Sequence, residues 1–132
     1  MMQYMLDTNT VSHLIKKHPG VSRRVVDVPM SSLCISSITE GELLFGLAKR
    51  PDATRLHTAV KEFLLRVDVL PWDSNVAECY GTVRANLERQ GKTLGSLDLL
   101  IATHALHVGA TLVTNDGAFT YVPCLQVEDW TV

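Results

Sequence analysis

The sequence predicts an α/β domain with a mainly parallel central sheet flanked by helices. Short apolar runs of strand length recur between longer stretches with helical spacing. Strands separated by helices need crossover connections, and crossovers make neighbouring strands parallel. No repeat, low-complexity tract or Gly/Ser-rich linker divides the 132 residues, so one domain over 1–132 is expected.

In chain order, Tyr4 to Leu6, Leu33 to Ile35, Val67 to Leu70, Thr111 to Val113 and Leu125 to Val127 read as strands. Ser37-Ile38-Thr39-Glu40 has capping-box spacing and marks the start of a helix carrying Glu42. Leu56, Val60, Phe63, Leu64 and Val67 share one helical face, and Val76, Tyr80, Val83 and Leu87 share another. Asp73 or Ser74 is placed to cap the second of these helices, and Gly91 to end it in a left-handed conformation. A last helix is expected from about Ser96 to Val108, stopped by Gly109.

With 46% hydrophobic and 20% charged residues, the chain has ordinary globular composition. No apolar run approaches the ~20 residues of a membrane span, and Met1-Met2-Gln3-Tyr4 does not open a signal peptide. A cytosolic protein with no membrane association is expected. Cys34, Cys79 and Cys124 fit neither a disulfide framework nor a zinc site, and read as buried or inert thiols.

The formal charge of −2 counts, taken alone, against a nucleic-acid binder. The arrangement matters more than the sum, because carboxylates that hold cations stop repelling phosphate. Basic residues are partly grouped, as Lys16, Lys17, Arg23 and Arg24, then Lys49 and Arg50, then Arg84, Arg89 and Lys92.

Four acids carry the chemistry. Asp7 follows the first strand and Asp116 follows Thr111-Leu112-Val113 through Thr114 and Asn115, so two strands deliver carboxylates to one sheet edge. Ligand sites in open α/β sheets lie beyond that carboxyl edge. Glu42 sits early in the helix after the second strand, and Asp98 in the first turn of the Ser96 helix. Each has a plain structural alternative: a cap at Asp7, a turn residue at Asp116, an exposed surface glutamate at Glu42, a dipole-favoured acid at Asp98.

Together the four would repel one another unless a hard divalent cation intervened, and oxygen-only ligands select magnesium or manganese. Such a site suits phosphodiester hydrolysis. His104 and His107 have helical spacing but read as surface residues, and His13, His18 and His57 carry no motif. A phosphate-binding Gly-rich loop, a His-Glu-x-x-His helix and a Gly-x-Ser-x-Gly elbow are absent.

The sequence resembles the PIN domain, and within it the VapC-type toxins of bacterial toxin–antitoxin pairs. The resemblance rests on Met5-Leu6-Asp7-Thr8-Asn9, Ile35-Ser36-Ser37-Ile38-Thr39 leading to Glu42-Leu43, Asp98-Leu99-Leu100-Ile101-Ala102 after Gly95, and Thr114-Asn115-Asp116 followed by Phe119. It covers essentially the whole chain and implies a single PIN-like domain. It also implies that Asp7, Glu42 and Asp98 ligate Mg2+ or Mn2+, that Asp116 completes the site or binds a second ion, and that Asn9 and Thr114 support it by hydrogen bonding.

The resemblance further implies a homodimer and an endoribonuclease acting on structured RNA, with initiator tRNA cut in its anticodon loop to stop translation. A cognate VapB-type antitoxin would neutralise it, and the complex would bind operator DNA through the antitoxin. Leu44, Phe45 and Leu47, with the amphipathic helix that follows, are the expected antitoxin groove.

Three other readings meet specific objections or tests. Asp7-Thr8-Asn9-Thr10 is similar to the start of haloacid-dehalogenase-like phosphatases, but Asn9 cannot act as their general acid. A receiver-like domain needs a lysine near the end, and none follows Lys92. A non-catalytic PIN-like interaction module would keep its cellular effect when the acids are replaced isosterically.

Overall fold

A computed structural model describes residues 2–132 as five strands and six helices. The strands are β1 (Tyr4–Leu6), β2 (Leu33–Ser36), β3 (Asp68–Leu70), β4 (Thr111–Val113) and β5 (Val127–Glu128). The helices are α1 (Thr8–Ile15), α2 (Pro19–Asp27), α3 (Ser37–Ala48), α4 (Thr54–Arg66), α5 (Ser74–Arg89) and α6 (Ser96–Val108). Two 3-10 segments, Met30–Ser32 and Gly117–Tyr121, precede β2 and follow β4.

The sheet order is β3-β2-β1-β4-β5 and every pairing is parallel, as expected from strands that alternate with helices. Alternate side chains of the strands feed two cores. Met5, Cys34 and Leu112 pack with Val83, Leu87, Leu99 and Ala102 of α5 and α6. Leu6, Leu33, Ile35 and Val113 pack with Val11, Val21, Leu43, Leu47 and Val60 on the opposite side. No described helix is long and apolar enough to cross a membrane.

Local signals decide where the helices begin and end. Asp73 caps α5 by accepting from the Asn75 and Val76 amides, at 3.1 and 3.2 Å. Gly91 and Gly109 take the left-handed φ of +71° and +73° that end α5 and α6. His18, which had carried no motif, caps α2: its Nδ1 accepts from the Gly20 and Val21 amides, with Pro19 at the first helical position.

The expected capping box is displaced by one residue. β2 extends through Ser36, whose Oγ accepts from the Ile38 amide at 3.1 Å, while the Ser37 hydroxyl accepts from the Trp72 amide at 3.0 Å. The last strand is displaced too. The amides of Leu112 in β4 and Thr114 just after it donate to the Gln126 and Glu128 carbonyls, so pairing centres on Val127 and leaves Leu125 outside the ladder. Cys124 is exposed, not buried.

His104 overturns its reading as a surface residue. It is 1% exposed, and its Nδ1 lies 2.7 Å from Ser36 Oγ. Since that oxygen already accepts from the Ile38 amide, its hydroxyl proton is best used toward an unprotonated Nδ1. The bond joins α6 to the start of α3.

Burial pushes His104 below the usual histidine range, with Asp73 pulling upward and His107 adding to the depression. A histidine depressed by folding contributes stability that is present above its ordinary pKa and lost as pH falls through the folded value. His104→Asn should cost about 1–3 kcal/mol in urea melts near neutral pH, where the buried bond is weakened. The gap to wild type should narrow on acidification below about pH 6.5, because only wild type titrates. A gap independent of pH would contradict this linkage.

Candidate functional site

The strand order reverses direction between β1 and β4. From β1 the chain builds outward through β2 and β3, then returns to place β4 on the other side of β1. Such a switch point opens a crevice beyond the carboxyl ends of the two strands. Leu6 is in register with Val113, so Asp7 and Thr114 are the next residues on either side of the crevice.

Asp7 is 5% exposed and held by three bonds. Its amide donates to the Val113 carbonyl (3.1 Å), its carbonyl accepts from Val11 (3.0 Å), and its Oδ1 accepts from the Thr10 amide (2.7 Å). The cap reading of Asp7 is therefore correct as far as it goes, and it leaves Oδ2 outside the cap bond. Thr10 adds a link that its sequence position did not single out: its hydroxyl donates to the Val113 carbonyl at 2.9 Å.

Asp116 is exposed and likewise caps, its Oδ1 accepting from the Ala118 amide at 2.9 Å. Its own amide donates to Thr114 Oγ1 at 3.1 Å, so buried Thr114 orients the acid directly. Asp98 is half-buried in the first turn of α6. A Cβ at Gly95 would stand 3.3 Å from Asp98 Oδ2, so the glycine gives this carboxylate room. Asn9 is exposed in the first turn of α1, and among the described residues its side chain has no hydrogen bond to an acid.

Asp98, Asp116 and Asp7 form one electrostatic group. Burial first, then the charges of Asp116 and Asp7, push the Asp98 carboxyl above its ordinary range. Among the described residues the ion pairs are Arg24–Glu128 and Arg84–Glu88, and neither involves these acids.

Glu42 approaches from α3, half-buried in a groove of about 200 Å3 that also exposes Thr8, Lys16, Lys49 and Arg50. A Thr8–Thr39 hydroxyl contact of 3.3 Å ties α3 beside the start of α1. Among the described residues, no three acidic, histidine or cysteine side chains already stand where one ion could be held by all of them.

Four of the five histidines are occupied elsewhere. His13 and His18 pack edge to face, and His57 Nε2 lies 2.9 Å from the Arg50 carbonyl. His104 is bound to Ser36, and His107 is exposed in the last turn of α6, opposite Asp98.

This sheet order and acid-lined edge define the class. The PIN-domain model matches residues 4–123, and the chain belongs to that family. It is 39% identical over 131 residues to the tRNA(fMet)-specific endonuclease VapC of Salmonella typhimurium, covering 98% of this chain and 99% of that one. Among solved structures it is similar to DNA-bound VapBC of Salmonella typhimurium, with TM-score 0.90, 39% identity, and 98% and 99% of the two chains covered. VapBC2 of Rickettsia felis, bound to a DNA fragment from its promoter, gives TM-score 0.90 and 34% identity at the same coverage. The resemblance drawn from the four sequence motifs is borne out: this is a VapC-type PIN domain.

The carboxylate cluster has a consequence for stability. A carboxyl raised by folding favours the folded state below its ordinary pKa, and that advantage is lost as pH rises through the folded value. In chelator at neutral pH, Asp98→Asn should melt higher than wild type. Asp7→Asn should melt no lower, since the asparagine oxygen can still accept from Thr10. Added magnesium or manganese should raise the wild-type Tm more than that of either variant. Calorimetry showing strong destabilisation of both variants in chelator would assign these acids a structural role.

Proposed function

We propose that the protein is the toxin of a type II toxin–antitoxin pair and a metal-dependent endoribonuclease. Asp7, Glu42, Asp98 and Asp116 are its catalytic acids, and Mg2+ or Mn2+ is its cofactor. The observation that carries the reading is the shared field of Asp7, Asp98 and Asp116 at the switch-point crevice, without a basic partner. An oxygen-only donor set of this charge fits a hard divalent cation, which usually keeps several waters and needs few direct protein ligands.

When bound, the ion supplies neutralising charge and an acidified water for attack on phosphorus. The chain's own part is positional. Asp7 and Asp116 are fixed through their Oδ1 caps, leaving a second oxygen each for the site. Thr114 holds the Asp116 backbone, and Asn9, exposed in the first turn of α1, would add polar support. Glu42, which lines the α3 groove beside Thr8, is the acid that would complete the set.

The substrate is structured RNA. The Salmonella relative's name supports initiator tRNA, whose cleavage in the anticodon loop would stop translation. A VapB-type antitoxin neutralises the toxin, and the pair binds operator DNA through the antitoxin, in keeping with the DNA-bound VapBC complexes. Exposed Leu44 and Phe45 on α3 are the antitoxin contact, with the mostly buried Leu47 lining the adjoining α1–α3–α4 groove. The protein acts in the cytoplasm as a homodimer.

Asp7→Asn, Glu42→Gln and Asp98→Asn should each lower cleavage by at least about a hundredfold while the protein stays folded. Four histidines are engaged in other contacts and His107 lies at the other end of α6 from Asp98, so water, not a 2′-hydroxyl, is taken as the nucleophile. Products should carry a 5′-phosphate and a 3′-hydroxyl, and an RNA with one 2′-deoxy nucleotide at the scissile position should still be cut in magnesium. A 2′,3′-cyclic phosphate product, with complete resistance of the deoxy substrate despite normal binding, would overturn the mechanism.

A further inference from the structure

Lys92 and Tyr121 stand apart from the acids yet on the same two segments. Tyr121 ends the 3-10 segment that Asp116 caps, and Lys92 lies in the loop that leads through Gly95 into the first turn of α6. Their side chains meet across the gap between those segments, the Lys92 ammonium 5.3 Å from the centre of the Tyr121 ring. Both are exposed, Tyr121 by 46%. Among the described residues Lys92 forms no ion pair, whereas neighbouring Arg84 is committed to Glu88 and to the Tyr80 hydroxyl.

A cavity of about 140 Å3 adjoins the pair between the end of α5 and the start of α6. Lys92, Thr93, Ser96 and the paired Arg84 and Glu88 give it polar walls, and Leu94 and Leu99 an apolar floor. Ser96 and Leu99 bracket Asp98 in the same helical turn. At about 2.0 Å rise per residue, the 3-10 segment puts Tyr121 roughly 10 Å from Asp116. That is about three stacked nucleotides at ~3.4 Å each along one strand.

An exposed aromatic ring with a cation outside any described ion pair, one short strand's length from a phosphodiester-cleaving centre, has the chemistry of a single-stranded nucleic-acid platform. We propose that Lys92 and Tyr121 form a subsite for an unpaired nucleotide about three positions from the scissile phosphate of RNA. The base stacks on Tyr121, displacing the weak ammonium–ring contact, and Lys92 turns to a phosphate of that nucleotide. The proposal rests on the ribonuclease reading above. A second cation–ring pair, Lys49 over Phe45, lies instead beside exposed apolar Leu44, a setting that suits a protein partner.

The test uses a fluorescein-labelled stem–loop RNA and full-length protein. Binding is read by anisotropy in magnesium in an Asp7→Asn background, and cleavage kinetics in the otherwise wild-type chain. Tyr121→Ala and Lys92→Gln should each raise Kd and KM about tenfold with kcat nearly unchanged, because neither touches the reacting atoms. Tyr121→Phe keeps the ring and should stay within about twofold of wild type. Lys92→Gln should also lower the slope of log affinity against log salt by about one.

Unchanged Tm in all three variants ensures that the shifts report binding. Variants with wild-type Kd and KM would overturn the subsite, and so would unaltered RNA affinity combined with weakened antitoxin binding, which would assign the pair to a protein contact. Wild-type protein that neither binds nor cuts RNA would overturn the ribonuclease reading and the subsite with it. RNA cleavage by wild type with indifferent variants would overturn the subsite alone.

Discussion

The carbonyl of Val113 is the point on which the acid edge depends. It accepts from the Asp7 amide at 3.1 Å and from the Thr10 hydroxyl at 2.9 Å. One oxygen therefore closes the β1–β4 ladder and pins the first turn of α1 to the end of β4. Because both donors flank the Asp7 carboxylate, the distance between the two acid-bearing strand ends is set by backbone pairing and not by flexible side chains. Buried hydrogen bonds of this kind have little room for alternative geometry, since a freed donor would find no water.

The rest of the molecule keeps that junction in place. Leu6 and Val113 lie in register and are both fully buried, so slippage by one residue would expose an entire strand face. The Ser36–His104 bond secures α6, which carries Asp98, to the start of α3, which carries Glu42. The C-terminal segment is anchored separately. Trp130 is buried against Tyr4 and donates to Glu128 Oε1 at 2.9 Å, the same oxygen that takes Arg24 of α2.

Strand ends that carry acids were legible because punctuation and period coincide there: Asp7 and Asp116 each stop an apolar run and begin a turn. The two apolar faces of α4 and α5 were equally plain, since burial imposes the helical period directly. One-residue boundaries were not, because Ser36 and Ser37 are chemically identical caps and only the length of β2 decides between them. His104 was hidden for a different reason. Its polarity suits a surface, and the partner that makes burial tolerable lies 68 positions away. Thr10 was overlooked likewise, its carbonyl acceptor being 103 positions distant. For Glu42, position in α3 could be read from sequence, but the groove it lines beside Thr8 depends on how α3 lies beside α1.

The carboxylates are held without cations, and this explains how they can stay available. A lysine or arginine pairing with Asp7 or Asp116 would fix the side chain equally well, but it would also neutralise the charge that a metal ion needs. The structure fixes them with backbone amides instead: Thr10 for Asp7, Ala118 for Asp116. An amide contributes a directional bond and only a partial charge, so the acid is oriented while most of its field remains. Asp98, with no such cap bond and with Gly95 leaving space around Oδ2, is raised in pKa by its burial first and then by the charges of Asp116 and Asp7. Orientation by caps and a pKa raised by burial and crowding are thus separate features of neighbouring residues, and the folded chain carries the repulsion because its hydrogen bonds, not its ion pairs, hold the edge together.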